Sequence, residues 1–167
     1  PAPRVVVENA AVSDHEGTMR LHIPTEGRPS PGASRERSAA TSGGHDLEVR
    51  VVAFDDYWNG RTTAQREISF VKCDVEGHEL KVFRGAEKML RRHHPVLLFE
   101  CEQRHHGARP VAEVFAYLLG LGYAGWFFHG RRLVSVAEFN AAEHQRNPGG
   151  PGYCNNFVFM AGRASPP

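Results

Sequence analysis

The chain has 167 residues, 41% hydrophobic and 23% charged, so there is apolar material for about one domain and enough charge for solubility. Twenty basic and nineteen acidic side chains leave a formal net charge of +1, which excludes a strong field for nucleic acid or an anionic membrane. No apolar run approaches the ~20 residues that span a bilayer. The opening Pro1-Ala2-Pro3-Arg4 lacks the charged-then-apolar layout of a secretion signal, and with no initiator Met the true N-terminus is expected elsewhere. Cys73, Cys101 and Cys154 are odd in number and far apart, which points to reduced thiols and a cytoplasmic setting rather than to disulfides or a zinc motif.

In chain order, Val5-Val6-Val7 predicts a short apolar strand that ends at Glu8-Asn9-Ala10-Ala11. Ser13 to Gly17 is turn chemistry, and Thr18 to Ile23 alternates as a half-exposed strand does. Residues 24–46, rich in Pro, Gly, Ser and Arg, are expected to form a mobile loop. Leu47 to Phe54 predicts the next strand, followed by Asp55-Asp56-Tyr57-Trp58. Ile68 to Cys73 reads as a strand buried on both faces of a parallel sheet. Leu80, Phe83, Ala86 and Leu90 come next at helical spacing, and Pro95 closes that segment before a strand over Val96 to Phe99.

Pro110 suits a first helical position, and Val111, Val114, Phe115, Leu118 and Leu119 make an apolar stripe that Gly120 and Gly122 stop. Trp126-Phe127-Phe128 and Asn156 to Met160 are two further strands. Strands alternating with helices predict an open α/β sheet.

The segment richest in chemistry is Lys72-Cys73-Asp74-Val75-Glu76-Gly77-His78-Glu79, where a strand hands over to a helix. Ligands of open α/β sheets bind outside the carboxyl ends of the strands. Asp74 falls at one such end and Glu100 at the next, so neighbouring strands would put both on one crevice. A carboxylate ending a buried strand has few structural excuses, which singles out Asp74. Glu76 and Glu79 divide evenly between function and capping of the next helix. Gly77 reads as a backbone necessity, and His78 as an exposed residue at a helix start. The doublets His93-His94 and His105-His106 lack a third ligand close in sequence and read as surface or loop histidines.

Together with Arg84-Gly85-Ala86 and Pro95 to Glu100, this segment resembles the central signature of the FkbM methyltransferases. Asn9 to Asp14 with Gly17, Asp55-Asp56-Tyr57, Gly122-Tyr123 and Asn156-Phe157 resemble other parts of that family in the same order. The resemblance implies an α/β fold: the Rossmann-like sheet of class I methyltransferases, here a single partial domain over 1–167. It implies S-adenosylmethionine as cofactor and a small-molecule, sugar or natural-product hydroxyl as methyl acceptor. It puts Asn9 and Ala10 near the adenine. Asp74 is placed at the methionine end or the acceptor hydroxyl, with Glu76, Glu79 and Glu100 around the same mouth. Asp74 is the first candidate for a general base and His78 the second.

The glycine-rich cofactor loop and the acid that holds the ribose are not among these residues, so the sheet is expected to be N-terminally truncated, without its first two strands. Gly149-Gly150-Pro151-Gly152 does not join a strand to a helix and is no substitute. A sheet with that gap has unpaired edges open to self-association, and the chain alone is expected to bind the cofactor weakly or not at all. Two rival readings remain open on the residues. One is a metal-dependent enzyme built on Asp74, Glu76, Glu79 and Glu100; the other is a non-catalytic methyltransferase-like binding module.

Overall fold

A computed structural model describes residues 5–24, 44–61 and 67–162. The elements run β1 (Ala11–Ser13), β2 (Gly17–Pro24), β3 (Gly44–Ala53), α1 (Phe54–Asn59), β4 (Phe70–Cys73), α2 (Glu79–Arg84), α3 (Glu87–His93), β5 (Val96–Glu100), α4 (Ala112–Gly120), β6 (Tyr123–His129), β7 (Arg132–Ser135), α5 (Ala141–His144) and β8 (Asn156–Ala161). Short 3-10 turns cover Gln103–His105 and Val136–Glu138.

The fold is α/β, with two sheets. One has the order β1-β3-β2, with β1 parallel and β2 antiparallel to β3. The other has the order β4-β5-β8-β6-β7, with β4 and β5 parallel and β8 antiparallel to both β5 and β6. Among the described residues no helix is long and apolar enough to cross a membrane.

The core of the larger sheet is aromatic. Phe99 is fully buried and meets the rings of Phe83, Phe157 and Phe159 at centroid distances of 5.1, 5.7 and 5.4 Å. Phe115 on α4 packs on Phe157 at 4.7 Å, with Val111, Val114 and Leu118 of the expected stripe buried beside it. Leu119 leaves that stripe and is exposed. Gly125 on β6 exists because a Cβ there would stand 2.3 Å from the Phe159 ring.

Several sequence expectations are corrected. Val5 to Val7 form no strand and stay exposed; the strand begins at Ala11, where β3 offers a parallel partner. Of the stretch 24–46 expected to be a loop, Pro24 and residues 44–46 are strand instead, with Pro24 paired to Gly44 across β2 and β3. Residues 25–43 lie outside the described set. The β4 strand is not buried on both faces: it is the sheet edge, and Phe70 and Lys72 are exposed. A single helix over Leu80 to Leu90 is instead two, broken at Gly85-Ala86.

That break is made by α1. The Asp55 N–H donates to the Gly85 carbonyl at 2.8 Å, and the Asp55 carboxylate accepts from the N–H groups of Lys88 and Met89 at 2.8 and 2.9 Å. An aspartate distant in sequence therefore caps α3, satisfying donors the helix start leaves open. Gly85 also lets α2 meet β1, since a Cβ there would lie 1.9 Å from the Ser13 carbonyl oxygen. Backbone cannot retreat as a side chain can. Gly85→Ala is expected to lower stability by about 1–3 kcal/mol, read as an earlier thermal unfolding transition by circular dichroism.

Candidate active site

Strand β1 of the smaller sheet and the parallel pair β4 and β5 of the larger end at Ser13, Cys73 and Glu100, and the loops leaving those ends carry the polar chemistry. After β4 the chain turns through Glu76 at φ 47° and Gly77 at φ 95° before α2 begins. Gly77 is required twice over. Its φ lies where side chains are strained, and a Cβ would meet the His105 carbonyl oxygen at 2.3 Å. Glu79, the first residue of α2, reaches back to accept the Gly77 N–H at 2.9 Å. That bond ties down the turn before α2 and leaves the helix's own first N–H groups without a side-chain cap.

The predicted site residues scatter over four surroundings. Asp74 is exposed and pairs with Lys72 at 3.3 Å. Lys72 also stands 4.0 Å from Glu100, which accepts from Asn155 at 3.3 Å, so one ammonium lies between the two carboxylates. Glu76 is half-buried in a polar cavity. Glu79 is fully buried and faces inward, away from the mouth the resemblance assigned to it. The acidic metal cluster of the rival reading, Asp74, Glu76, Glu79 and Glu100, is not brought together among the described residues. Among the described residues, the one group of three potential ligands within 4.8 Å of one another is Glu79, Cys101 and His106. Asn9 is exposed in the irregular stretch before β1, and Ala10 next to it is half-buried.

Two hollows meet at the loop after β4. A groove of about 590 Å³, mostly apolar, runs between β1–β2 on one side and β4 on the other; Ala10, Met19, Leu21, Val71 and Met89 wall it, and Asp74 stands among its lining. A polar cavity of about 380 Å³ is lined by Glu76, Lys81, His105, His106, Arg109 and Glu113. Val75 and His78 line both.

His78 is held from β1. Its Nε2 lies 2.9 Å from Ser13 Oγ, and Ser13 Oγ donates to Asp14 Oδ1 at 3.1 Å. The single hydroxyl proton goes to Asp14, so the ring N–H of His78 donates to Ser13. His15 reaches the same Asp14 oxygen at 2.8 Å. Burial alone would raise the Asp14 pKa, but the hydrogen bonds from His15 and Ser13 outweigh it and hold the carboxyl below its ordinary range. Sequence reading takes Ser13 and Asp14 as turn residues. Nothing local signals that Ser13, fully buried, orients a histidine 65 positions away.

A second network was equally hidden. The buried Glu102 carboxylate accepts from Tyr153, from Arg104 Nε at 2.8 Å and from Asn155 at 3.3 Å. Burial pushes its pKa up, yet these hydrogen bonds win and hold it below the ordinary carboxylate value. Such a group stabilises the fold above the unfolded-state pKa of about 4.3, and the contribution is lost as pH falls through the lower folded value. Glu102→Gln is expected to flatten the loss of thermal stability measured between about pH 4.5 and pH 3.

Burial, with the nearby Glu79 carboxylate, pushes the Cys73 thiol up to about 12, and the same causes push Cys101 up further. Cys73, Cys101 and Cys154 are all free.

In this α/β domain the loops leaving β1, β4 and β5 bring a histidine and carboxylates to the walls of two adjoining hollows. The family model of the methyltransferase FkbM domain matches residues 2–124, and the chain belongs to that methyltransferase family. No curated protein and no solved structure matches the chain.

Proposed function

We propose that the chain is an S-adenosylmethionine-dependent methyltransferase that acts on a hydroxyl of a small molecule, sugar or natural product in the cytoplasm. The observation that carries this reading, within a methyltransferase family, is that a large apolar groove and a polar cavity share His78 and Val75 as their common wall. The groove fits two parts of the cofactor. Its apolar sides around Ala10 suit an adenine, and Asp74 suits the ammonium of the methionine end. The groove as described carries neither a glycine-rich turn nor an acid suited to the ribose, so the part of the site that holds them is left to the binding test below.

When bound, S-adenosylmethionine supplies a methyl group on a sulfonium for direct displacement by oxygen. The protein's part is positioning and proton removal. His78, oriented by Ser13, takes the proton of the acceptor hydroxyl, and Asp74 holds the cationic end of the donor. Lys81, Arg109 and Glu113 give the polar cavity both signs of charge, which suits a hydroxylated, polar acceptor.

The test is calorimetric titration of S-adenosylmethionine, with circular dichroism to show folding. Weak or no binding to residues 1–167 and saturable binding to an N-terminally extended chain are expected. An extended chain that folds and ignores the cofactor would overturn the reading. Light scattering on the same samples tests whether the exposed β4 edge supports self-association, which is expected of residues 1–167 and not of the extended chain.

A further inference from the structure

Glu79, Cys101 and His106 come together from three places: the start of α2, the end of β5 and the turn at Gln103–His105. All are buried, at 0%, 1% and 8% exposure. Both Glu79 Oε2 and Cys101 Sγ close on the same atom, His106 Nε2, at 3.0 and 3.2 Å, while Sγ and Oε2 are 4.0 Å apart.

Hydrogen bonds alone serve this triangle poorly. A hydrogen on Nε2 can point at the carboxylate or at the sulfur, not well at both. If the thiol instead donates to a bare Nε2, the ring nitrogen and the carboxylate oxygen face each other with no hydrogen between them. A proton on Glu79 would close that contact but leave the thiol with an acceptor 4.0 Å away. Every arrangement leaves one side of the triangle without a short hydrogen bond.

We propose that these three side chains bind a divalent transition cation of the zinc type. A tetrahedral zinc with Zn–S about 2.3 Å and Zn–N and Zn–O about 2.0–2.1 Å sets its ligand atoms roughly 3.3–3.6 Å apart. The triangle of 3.0, 3.2 and 4.0 Å needs only small shifts to match. The charge also balances: thiolate and carboxylate cancel the dication, with the imidazole neutral, so no net charge is buried. A thiolate–imidazole–carboxylate set suits zinc and its neighbours rather than magnesium or calcium. Three protein ligands leave a fourth position, and His106 is also a wall of the polar cavity. Glu79 directly follows His78, so the ion would tie the start of α2 to the Gln103–His105 turn beneath that histidine.

The experiment is metal analysis by mass spectrometry on protein purified without chelator, followed by exchange with Co²⁺ and absorption spectroscopy. About one equivalent of metal per chain and a near-ultraviolet thiolate-to-cobalt band are expected. Cys101→Ser should remove that band, and His106→Gln should remove the rise in thermal unfolding temperature that zinc gives the parent chain. Circular dichroism shows that each variant is folded. A folded parent chain that takes up neither zinc nor cobalt overturns the proposal. So does a thiolate band that survives in Cys101→Ser, because the metal would then sit on another cysteine. Neither readout uses methyl transfer, so failure here is distinct from failure of the enzyme reading.

Discussion

His78→Gln is expected to lower kcat for methyl transfer by about 10²–10⁴-fold, the usual worth of a positioned general base. The substitution keeps a polar side chain of similar reach at the wall that the groove and the cavity share, so donor affinity should change little. Asp74→Asn separates the two roles. Removing a charged partner of the donor ammonium costs about 1.5–3 kcal/mol, which is roughly 10–150-fold in donor KM with a smaller change in kcat. Ser13→Ala should act as a weaker version of the His78 change, because it removes the hydrogen bond that sets the ring and nothing that touches the acceptor. Steady-state kinetics on any hydroxyl acceptor the enzyme turns over distinguishes these outcomes. If His78→Gln raised only the donor KM, the base would have to be assigned elsewhere.

The largest stability effect is expected at Phe99. Phe99→Ala removes a ring with no solvent exposure from between Phe83, Phe157 and Phe159, in strand β5 between β4 and β8. The neighbours come from α2 and β8 and cannot close together without breaking strand register, so the cavity stays open. A loss of about 3–5 kcal/mol is expected in urea unfolding followed by tryptophan fluorescence. Phe128→Ala is the control: on β6 it is 41% exposed and should cost little.

Strand and helix positions were largely legible, and the misses have identifiable causes. The β5 and β8 runs are apolar on nearly every residue, a pattern that suits a strand in a sheet interior. The β4 run carries the same signal, but Lys72 within it was the clue to an edge, where one side can meet solvent. Val5 to Val7 show that a β-branched run without a partner makes no strand. The split of α2 from α3 was not readable because the cap comes from Asp55, more than thirty residues upstream.

For the site, Asp74 and His78 were visible because a strand-to-helix loop rarely gathers so much charge. Their surroundings were not. Adjacent histidines at 105 and 106 gave no third ligand in the local sequence, and the buried partners of His106 are Glu79, 27 positions earlier, and Cys101. Glu79 itself looked like a member of the acidic mouth until the turn at Glu76-Gly77 pointed it inward.

What the sequence by itself determined is therefore the set of local facts: which runs extend, which wind, where glycine is obligatory, and which family the chain joins. Those depend on periodicity, backbone stereochemistry and short-range hydrogen bonds, all of which act within a few residues. Only the tertiary structure decided which carboxylate faces solvent, which is buried with a thiol and an imidazole, and which serine holds His78. Burial and pairing of polar groups depend on atoms brought together from distant parts of the chain, and no pattern in a single segment contains them.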